Sequence, residues 1–177
     1  SYGHVDKICK MIPFDPSRPL TLQESIDREP RFKDEIKNNS KVEKLRIIKG
    51  TNFDYFSLEG AKNFFSKQFI VSKLSDRMGM RLEGPKIENI VNSNIKSEGL
   101  IKGVIQVPAD GNPIIMLSDH GTIGGYPKIG VVASVDYDRL VQISPGSKIK
   151  FQEIELSDAE TLFKLYEMET QNLLSQI

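Results

Sequence analysis

The residues best suited to chemistry in this sequence are concentrated in one glycine-rich loop, which runs from Ser118 to Lys128. Asp119 follows an apolar segment and could orient a substrate amide or act as a general base. Lys128, at the other end of the loop, could neutralise an oxyanion that develops on a carbonyl oxygen. Each residue also has an ordinary interpretation, which is an Asx-type turn for Asp119 and a solvated surface position for Lys128. At the level of sequence both interpretations stay open.

Several further residues could complete a binding site around this loop. They supply a hydroxyl group, backbone N–H donors, an aromatic ring and polar side chains, and they are Thr122, Gly124, Gly125, Tyr126, Glu98 and Gln106. Glycine lets the backbone approach a ligand closely, which favours backbone contacts at the two glycines. Gln106 alternates with Ile105 and Val107, so its side chain faces away from theirs, toward a cavity. His120 is the one imidazole of the loop, and an exposed position without a role is its ordinary interpretation.

Two arginines, Arg77 and Arg81, form a second candidate group. A guanidinium offers a planar fork of donors that suits a carboxylate, a phosphate or a carboxyphosphate. If the segment is extended, both side chains lie on the same face, because alternate residues of a strand share a face. Pairing with Asp76 or Glu83 is the structural alternative for each arginine.

A β-hairpin is predicted to position the loop. The apolar runs Val104–Val107 and Ile114–Leu117 flank the turn dipeptide Asp110-Gly111, which favours two antiparallel strands joined by a tight turn. The second strand leads directly into the glycine-rich loop. Further strands are predicted from β-branched or alternating apolar residues, and they are Leu45–Ile48, Phe69–Ser72, Ile129–Val135 and Ile149–Leu156.

Helices are predicted from capping residues and from apolar residues at helical spacing. Ser57 is the expected N-cap of a helix that runs through Ser66, and 136–142 is a short helical turn. The capping box Ser157-Asp158-Ala159-Glu160 should open a terminal helix. Its apolar stripe is expected to pack on the core and consists of Leu162, Phe163, Tyr166, Leu173, Leu174 and Ile177.

Four blocks of the sequence carry a resemblance to a known family. They are the segment S-D-R-M-G-M-R-L-E-G-P from Ser75, the tripeptide Ser97–Gly99, the hairpin from Gln106, and the loop that ends at Lys128. In order and spacing they resemble the C-terminal half of the family variously called the C subunit of 5-oxoprolinase, allophanate hydrolase subunit two, KipI antagonist or biotin-dependent carboxyltransferase. The resemblance implies a mainly β fold with flanking helices, in which residues 45–177 form a cyclophilin-like β-barrel domain with a C-terminal helix.

This resemblance also implies a function. The chain is expected to be a truncated component, similar to the C subunit, of an ATP-dependent 5-oxoprolinase or a biotin-dependent carboxyltransferase, and to act on a small cyclic amide or urea-type substrate. A protein similar to KipI or to the B subunit of 5-oxoprolinase would be its partner, and partners rather than this chain would supply ATP or biotin. The implied catalytic residues are Asp119, Lys128 and Arg77, and Arg81 joins the residues named above in binding substrate. Because half of the family protein is absent, the chain is expected to be inactive alone. A non-enzymatic partner-binding protein of the KipI-antagonist type and a vestigial fusion product are the alternatives.

The loop departs from the family pattern at two positions. The family usually reads Asp-x-Gln-Thr-Thr-Gly-Gly-Tyr-Pro, whereas here Gly121 stands at the glutamine position and Ile123 at the second threonine. If the missing groups contact substrate, each loss costs about 1–3 kcal/mol of binding or transition-state stabilisation. The departures therefore favour the partner-binding alternative.

Residues 1–44 read as a separate, small helical appendage. The segments G-H-V-D-K-I-C-K-M-I-P from Gly3, L-T-L-Q-E-S-I from Leu20 and E-P-R-F-K-D-E-I from Glu29 resemble a short piece of the alpha subunit of bacterial DNA polymerase III. A capping box at Thr21 predicts a short helix over 22–28. A second box at Ser40 conflicts with the strand that follows it. No polymerase activity is carried over, because the resembling piece includes none of that enzyme's catalytic aspartates.

Composition excludes several classes of function. The 177 residues contain 24 Lys plus Arg and 24 Asp plus Glu, so no overall field attracts nucleic acid or an anionic membrane. The single cysteine, Cys9, excludes an internal disulfide and a cysteine-based zinc cluster, and two histidines leave little material for a metal site. No apolar run approaches the length of a membrane span. The sequence therefore predicts a cytoplasmic protein without a metal. The apolar face on which the missing half of the family protein would pack is expected to be exposed, which predicts self-association into a homo-oligomer.

Overall fold

A closed β-barrel forms the centre of the computed structural model, which describes residues 42–174. Residues Val42–Lys164 form one compact unit, and Leu165 begins a second. The strands are β1 (Val42–Lys49), β2 (Gln68–Val71), β3 (Gly79–Glu83), β4 (Glu98–Gly99), β5 (Val104–Gln106), β6 (Ile114–Met116), β7 (Ile123–Gly124), β8 (Lys128–Val132) and β9 (Lys148–Glu153). The helices are α1 (Leu58–Ser66), α2 (Ser134–Leu140) and α3 (Leu156–Leu174), and a 3-10 turn covers Phe53–Tyr55.

Seven strands close the barrel in the order β1-β8-β5-β6-β3-β2-β9. Neighbouring strands are antiparallel except β1 and β9, which pair in parallel with Leu45 opposite Phe151 and complete the ring. The inward residues are apolar and fully buried, as expected where one face of each strand packs on a core. The Phe64 ring of α1 stacks on Phe151 at a centroid distance of 4.4 Å, so this helix packs directly against the barrel core. The predicted mainly β barrel with a C-terminal helix is therefore confirmed.

The elements that hold the candidate loop largely match their prediction. Strands β5 and β6 form the predicted antiparallel hairpin, with Ile105 opposite Ile115. The Asp110-Gly111 dipeptide lies in a tight turn over residues 108–111, and the whole connection runs over residues 107–113. Pro108 and Pro113 flank this connection, and proline cannot donate a hydrogen bond to a strand ladder. Within the connection Gly111 adopts a φ of +74°, and its N–H donates to the carbonyl of Pro108 at 3.0 Å.

Two predicted capping boxes do not start helices at the expected residues. Glu43, from the second box, lies in β1 opposite Ile149, because pairing with β9 outweighs the local helix signal. The terminal helix begins at Leu156, so Ser157 is a helical residue rather than the N-cap. The predicted N-cap at Ser57 is confirmed, since its hydroxyl oxygen accepts the Gly60 N–H at 2.9 Å. The boundary predicted between residues 44 and 45 stays a prediction, and the predicted helix over 22–28 lies outside the described residues.

The predicted apolar stripe of α3 is only partly described. Ala159 is buried, and Leu162, Phe163 and Tyr166 are half-buried. Its last three members, at positions 173, 174 and 177, lie outside the side chains that the structure describes. None of the helices within residues 42–174 combines the length and the apolar character that crossing a membrane requires.

A buried ion pair fixes α2 to β1. The Asp136 carboxylate is 2% exposed and accepts hydrogen bonds from Arg46 Nε at 3.0 Å, Arg46 Nη2 at 2.5 Å and the Arg46 backbone N–H at 2.8 Å. Arg139 Nη2 lies 3.3 Å from the same carboxylate. Burial acts to raise the pKa of Asp136, but the hydrogen bonds from Arg46 and the charges of both arginines outweigh it and hold this pKa below its usual value. Asp136 is therefore a structural anion at neutral pH.

Candidate functional site

Gln106 and Lys128 lie opposite each other on neighbouring barrel strands. They form a cross-strand pair of β5 and β8, next to an irregularity in the register between Ile105 and Gln106. Ile105 and Val107 point into the core and are fully buried, so Gln106 lies on the opposite, outer face of the barrel wall. Lys128 shares that face, because directly opposed residues of antiparallel strands do. Both side chains are nevertheless covered, with Gln106 4% and Lys128 6% exposed.

Lys128 is a buried lysine with one anionic partner. Its ammonium Nζ donates to Glu98 Oε2 at 2.7 Å, and its backbone N–H donates to Asn52 Oδ1 at 3.1 Å. The solvated position considered for Lys128 is therefore wrong. An ammonium has three N–H donors, and within residues 42–174 only Glu98 accepts one of them. Two donors of a desolvated cation thus remain available to a ligand oxygen.

A two-stranded ribbon, β4 paired with β7, covers these side chains. In it Glu98 lies opposite Gly124, and Gly99 opposite Ile123. A Cβ atom at Gly124 would lie 2.5 Å from Gln106 Nε2, so any larger residue here would have to displace the Gln106 amide. Gln106 Nε2 in turn donates to the Tyr126 carbonyl at 3.1 Å. We call Asn52, Glu98, Gln106 and Lys128 the polar cluster, because Asn52 and Glu98 each accept a hydrogen bond from Lys128 and Gln106 lies opposite it.

Asp119 and Arg77 form an exposed ion pair. Arg77 Nε lies 3.2 Å from Asp119 Oδ2, with side chains that are 92% and 48% exposed. In the described part of the chain no backbone N–H donates to the Asp119 carboxylate, so the Asx-type turn is wrong for this residue. Such a turn occurs instead at Asp76, whose Oδ1 accepts the N–H groups of Met78 and Gly79. Arg77 thus has an ion-pair partner, but this partner is Asp119 and not Asp76, which was the structural alternative.

Arg81 lies apart from Arg77. The chain bends at Arg77 before β3 begins at Gly79, so the two arginines do not belong to one extended segment. Arg81 and the Tyr126 ring line a cleft with a volume of about 370 Å³. Glu83, the predicted alternative partner of Arg81, instead accepts a hydrogen bond from the Ser72 hydroxyl at 2.5 Å.

The remaining loop residues contribute backbone contacts. The carbonyls of Thr122 and Gly125 accept the N–H groups of Leu100 and Ile95 at 2.9 and 2.8 Å, which extends the ribbon. The Thr122 side chain is exposed. The His120 ring is half-buried, and its Nδ1 lies 2.6 Å from the Gly121 carbonyl oxygen. These residues shape the loop, and their side chains contact none of the polar cluster.

The structure thus brings four predicted residues together and separates the others. Glu98, Gln106, Gly124 and Lys128 meet at the polar cluster, whereas Arg81 lies in the cleft and Arg77 pairs with Asp119 outside it. Asn52 also belongs to the cluster, but no sequence pattern predicts this. Its side-chain oxygen accepts the backbone N–H of Lys128, which is 76 residues away in sequence. Across residues 42–174, no group of three or more His, Cys, Asp or Glu side chains has a metal-binding arrangement.

Comparison with known proteins identifies the family. The family model for the carboxyltransferase domain, subdomain A and B, matches residues 10–153. The chain belongs to the carboxyltransferase domain family. Among curated relatives of this carboxyltransferase-family chain, the C subunit of 5-oxoprolinase from Escherichia coli (strain K12) is 34% identical over 116 residues, which are 66% of this chain and 37% of that protein. The chain therefore spans little more than a third of that relative's length.

Solved structures agree with this assignment. The crystal structure of the K. lactis urea amidolyase superposes with a TM-score of 0.70 at 26% sequence identity, over 73% of this chain and 8% of that one. The resemblance of the N-terminal segment has weaker support. The alpha subunit of DNA polymerase III from Caulobacter vibrioides is 48% identical over 40 residues, which are 23% of this chain and 4% of that protein. This match covers too little of either chain to assign a second family.

Proposed function

We propose that this carboxyltransferase-family chain is one component of a multi-subunit, amide-processing enzyme of the 5-oxoprolinase type. The observation that carries the proposal is Lys128, a buried cation whose ammonium has one hydrogen-bond partner, Glu98, among residues 42–174. Structural lysines are rarely buried in this way, because removing an ammonium from water is costly. A site that must stabilise developing negative charge gives this arrangement a function.

The polar cluster suits attack on an amide carbonyl. When such a carbonyl is attacked or its nitrogen is carboxylated, negative charge develops on oxygen, and preorganised donors in a desolvated site stabilise that charge most effectively. Lys128 supplies the charged donor. Glu98 holds the ammonium in place through the 2.7 Å contact, and Gln106 fixes the loop backbone at Tyr126. The cluster therefore orients its cation before substrate arrives.

Asp119 and Arg77 are proposed to act in the assembled complex. Both side chains are largely exposed here, where water weakens their charges. A partner surface that covers them would strengthen their interaction with substrate and could free Asp119 to act as a base. ATP or biotin is expected to come with the partner, which we propose to be a protein similar to KipI or to the B subunit of 5-oxoprolinase. Catalysis thus belongs to the complex and not to the isolated chain.

A partner-binding protein without catalysis is the second candidate. One observation favours it: the loop has Gly121 and Ile123 where the family pattern places polar residues. The Ile123 side chain is 65% exposed on the ribbon, where it offers an apolar contact in place of a hydroxyl. A chain that binds its partner without turning over substrate would fit these features.

Reconstitution separates the two candidates. The full chain is combined with the partner proteins of 5-oxoprolinase, ATP and 5-oxoproline, and formation of the ring-opened product is measured. We expect turnover that falls by about 100-fold or more in Lys128→Met, the typical cost of one oxyanion donor. Lys62→Met, an exposed lysine of α1, is the matched control and should retain activity.

Binding of the partner, measured on the same samples, tests the alternative of a partner-binding protein without catalysis. Co-elution with a partner and a raised unfolding temperature, but no turnover, would establish the partner-binding protein and reject the enzyme. Turnover that is equal in Lys128→Met and in the wild type would reject the role of the polar cluster. The absence of both turnover and co-elution would reject both candidates.

A further inference from the structure

The ribbon formed by β4 and β7 is separate from the barrel sheet and has two different faces. Glu98 reaches Lys128, and Gly124 lies against the polar cluster, so these positions define the inner face. Side chains alternate between the two faces of a strand, so Gly99 and Ile123, which lie opposite each other, define the outer face. The ribbon thus covers the polar cluster with one face and presents the other face to solvent.

The outer face of the ribbon is apolar and exposed. Ile123 is 65% exposed and Ile101 is 63% exposed. The Leu100 N–H donates to the Thr122 carbonyl at 2.9 Å, so the pairing continues beyond Gly99 and places Ile101 diagonally across from Ile123, within reach of its side chain. Gly99 lies between them without a side chain, and a Cβ atom built there would have no neighbour within 4 Å. A side chain of another molecule placed over Gly99 could therefore contact both isoleucines.

Strand β4 also has a free edge. Within residues 42–174 it pairs with no strand other than β7. In an antiparallel pair, every second residue turns its N–H and C=O groups away from the neighbouring strand. Glu98 and Leu100 turn theirs toward the β7 side, so Gly99, which lies between them, turns its backbone groups outward. An unpaired edge of this kind can be extended by a strand of another chain.

Two lysines flank this edge. Lys96 and Lys102 are both exposed, and neither forms an ion pair with any residue in the described part of the chain. Lys102 Nζ lies 4.9 Å from the centroid of the Tyr137 ring, which leaves its charge without an anion. The carboxylate between the two lysines belongs to Glu98, which faces inward and pairs with Lys128. The free edge is therefore positively charged at both ends.

These charges distinguish between the possible occupants of the edge. If β4 paired antiparallel with β4 of a second copy about Gly99, Lys96 would lie opposite the second copy's Lys102, because both lysines are three residues from Gly99. Like charges that lie directly opposite each other destabilise a strand pair, and lysines at an edge are a common means of preventing self-pairing. A strand with acidic residues at both ends would instead be attracted. The charges therefore favour a different protein over a second copy.

We propose that the free edge of β4 binds an extended segment of another protein, apolar at its centre and acidic at both ends. The segment pairs with the outward backbone groups of Gly99. Its central side chains cover Ile101 and Ile123, and its acidic ends lie near Lys96 and Lys102. The inference goes beyond the proposed function, because it assigns a surface and a kind of partner that do not depend on catalysis.

Three synthetic peptides with the same fluorescent label test this inference on the purified full chain at low salt, with fluorescence anisotropy as the readout. The probe is EEVTVTEE, which is apolar and β-branched at its centre. KKVTVTKK reverses the charge of its ends, and EEVPPVEE replaces its centre with two adjacent prolines, which cannot donate to a strand ladder. We expect the probe to bind and both other peptides to bind at least about tenfold more weakly, because the charges and the backbone pairing each contribute.

Variants of the ribbon identify where the probe binds. Gly99→Pro removes the outward N–H group and should weaken binding about threefold or more, whereas Gly99→Ala adds a methyl group in open space and should change binding by less than about twofold. Ile123→Ser, at an exposed position, should weaken binding about threefold or more. The double variant Lys96→Glu with Lys102→Glu should reverse the preference, so that KKVTVTKK binds more tightly than EEVTVTEE. A loss of folding would abolish binding of both peptides and could not produce this reversal.

Several results would overturn the inference. They are no binding of EEVTVTEE at up to about 1 mM, equal binding of EEVTVTEE and EEVPPVEE, and a preference for acidic ends that persists after charge reversal. Equal effects of Gly99→Pro and Gly99→Ala would also reject pairing at this edge. Lys62→Glu, a charge reversal on α1 outside the ribbon, is the control and should leave the order of the three peptides unchanged.

Discussion

Substitution of Lys128 and substitution of Glu98 should have very different effects on the free energy of unfolding, although the two residues form one ion pair. Lys128 is 7% exposed at its side chain and Glu98 is 45% exposed, so the cost of desolvation falls mainly on the lysine. Lys128→Met removes the buried charge and keeps an unbranched side chain of similar length. Glu98, left behind, regains water. Glu98→Ala instead leaves the ammonium buried with no anion beside it.

The magnitudes follow from that asymmetry. Replacing buried ion pairs by apolar residues is often neutral or stabilising by about 1–4 kcal/mol, whereas removing one partner of a buried pair costs about 3–5 kcal/mol. Because one partner here is half-exposed, we expect Lys128→Met to change the free energy of unfolding by about 0 to 2 kcal/mol in the stabilising direction. We expect Glu98→Ala to lower it by about 2–3 kcal/mol. The protein would thus keep Lys128 at a cost in stability, as expected for a functional residue.

Urea unfolding at pH 7, followed by far-UV circular dichroism because the chain has no tryptophan, measures both effects. Glu88→Ala, at an exposed glutamate, is the control and should change stability by less than about 0.5 kcal/mol. The double variant closes a thermodynamic cycle: in the Lys128→Met background, Glu98→Ala should cost no more than the control. If Lys128→Met destabilises as much as Glu98→Ala does, or if the two costs add, Lys128 is a structural residue and the reasoning is refuted.

Two further predictions concern residues that hold the site in place. Gly124→Ala should destabilise by about 1–3 kcal/mol in urea unfolding, because the new Cβ would meet Gln106 Nε2 at 2.5 Å and Leu100 Cδ1 at 2.8 Å; an unchanged midpoint would contradict the close approach of ribbon and barrel. Asp136→Asn should cost about 2–3 kcal/mol at pH 7, since Arg46 loses its anion but is itself partly exposed. The folded-state pKa of Asp136 is lowered, so its contribution is present above the unfolded value of about 4 and is lost as pH falls below it. Unfolding measured at pH 7 and at about pH 3 should therefore show a smaller difference between variant and wild type at the lower pH, and a constant difference would contradict the assignment.

The barrel could be predicted from sequence because its signals are local. Alternating apolar residues reveal strands such as Ile114–Met116, and Ser57 places a helix start correctly through one side-chain hydrogen bond. Local signals conflict where a pairing between distant residues decides the structure. Glu43 belongs to a capping box that favours a helix, yet it lies in β1, which pairs with β9 at six positions. These two strands are about 100 residues apart in sequence, so no local pattern can predict their pairing.

The candidate site was predictable by residue type but not by grouping. Glycines, a lysine and an aspartate in one loop identify the region, whereas their arrangement depends on which strands become neighbours. Lys128 is buried because β8 pairs with β5 and because the ribbon folds over both strands. Asn52 enters the cluster only through the closed barrel. The bend at Arg77 likewise separates two arginines whose spacing suggested a shared face.

Tyr126 connects the polar cluster to the cleft that Arg81 lines. Its carbonyl accepts a hydrogen bond from Gln106 in the cluster, and the residue, which is 39% exposed, also lines the cleft. The next residue anchors the loop again, since the Pro127 carbonyl accepts the Val107 N–H at 3.0 Å. The segment from Tyr126 to Lys128 thus connects the wall of the cleft to the buried ammonium of the polar cluster.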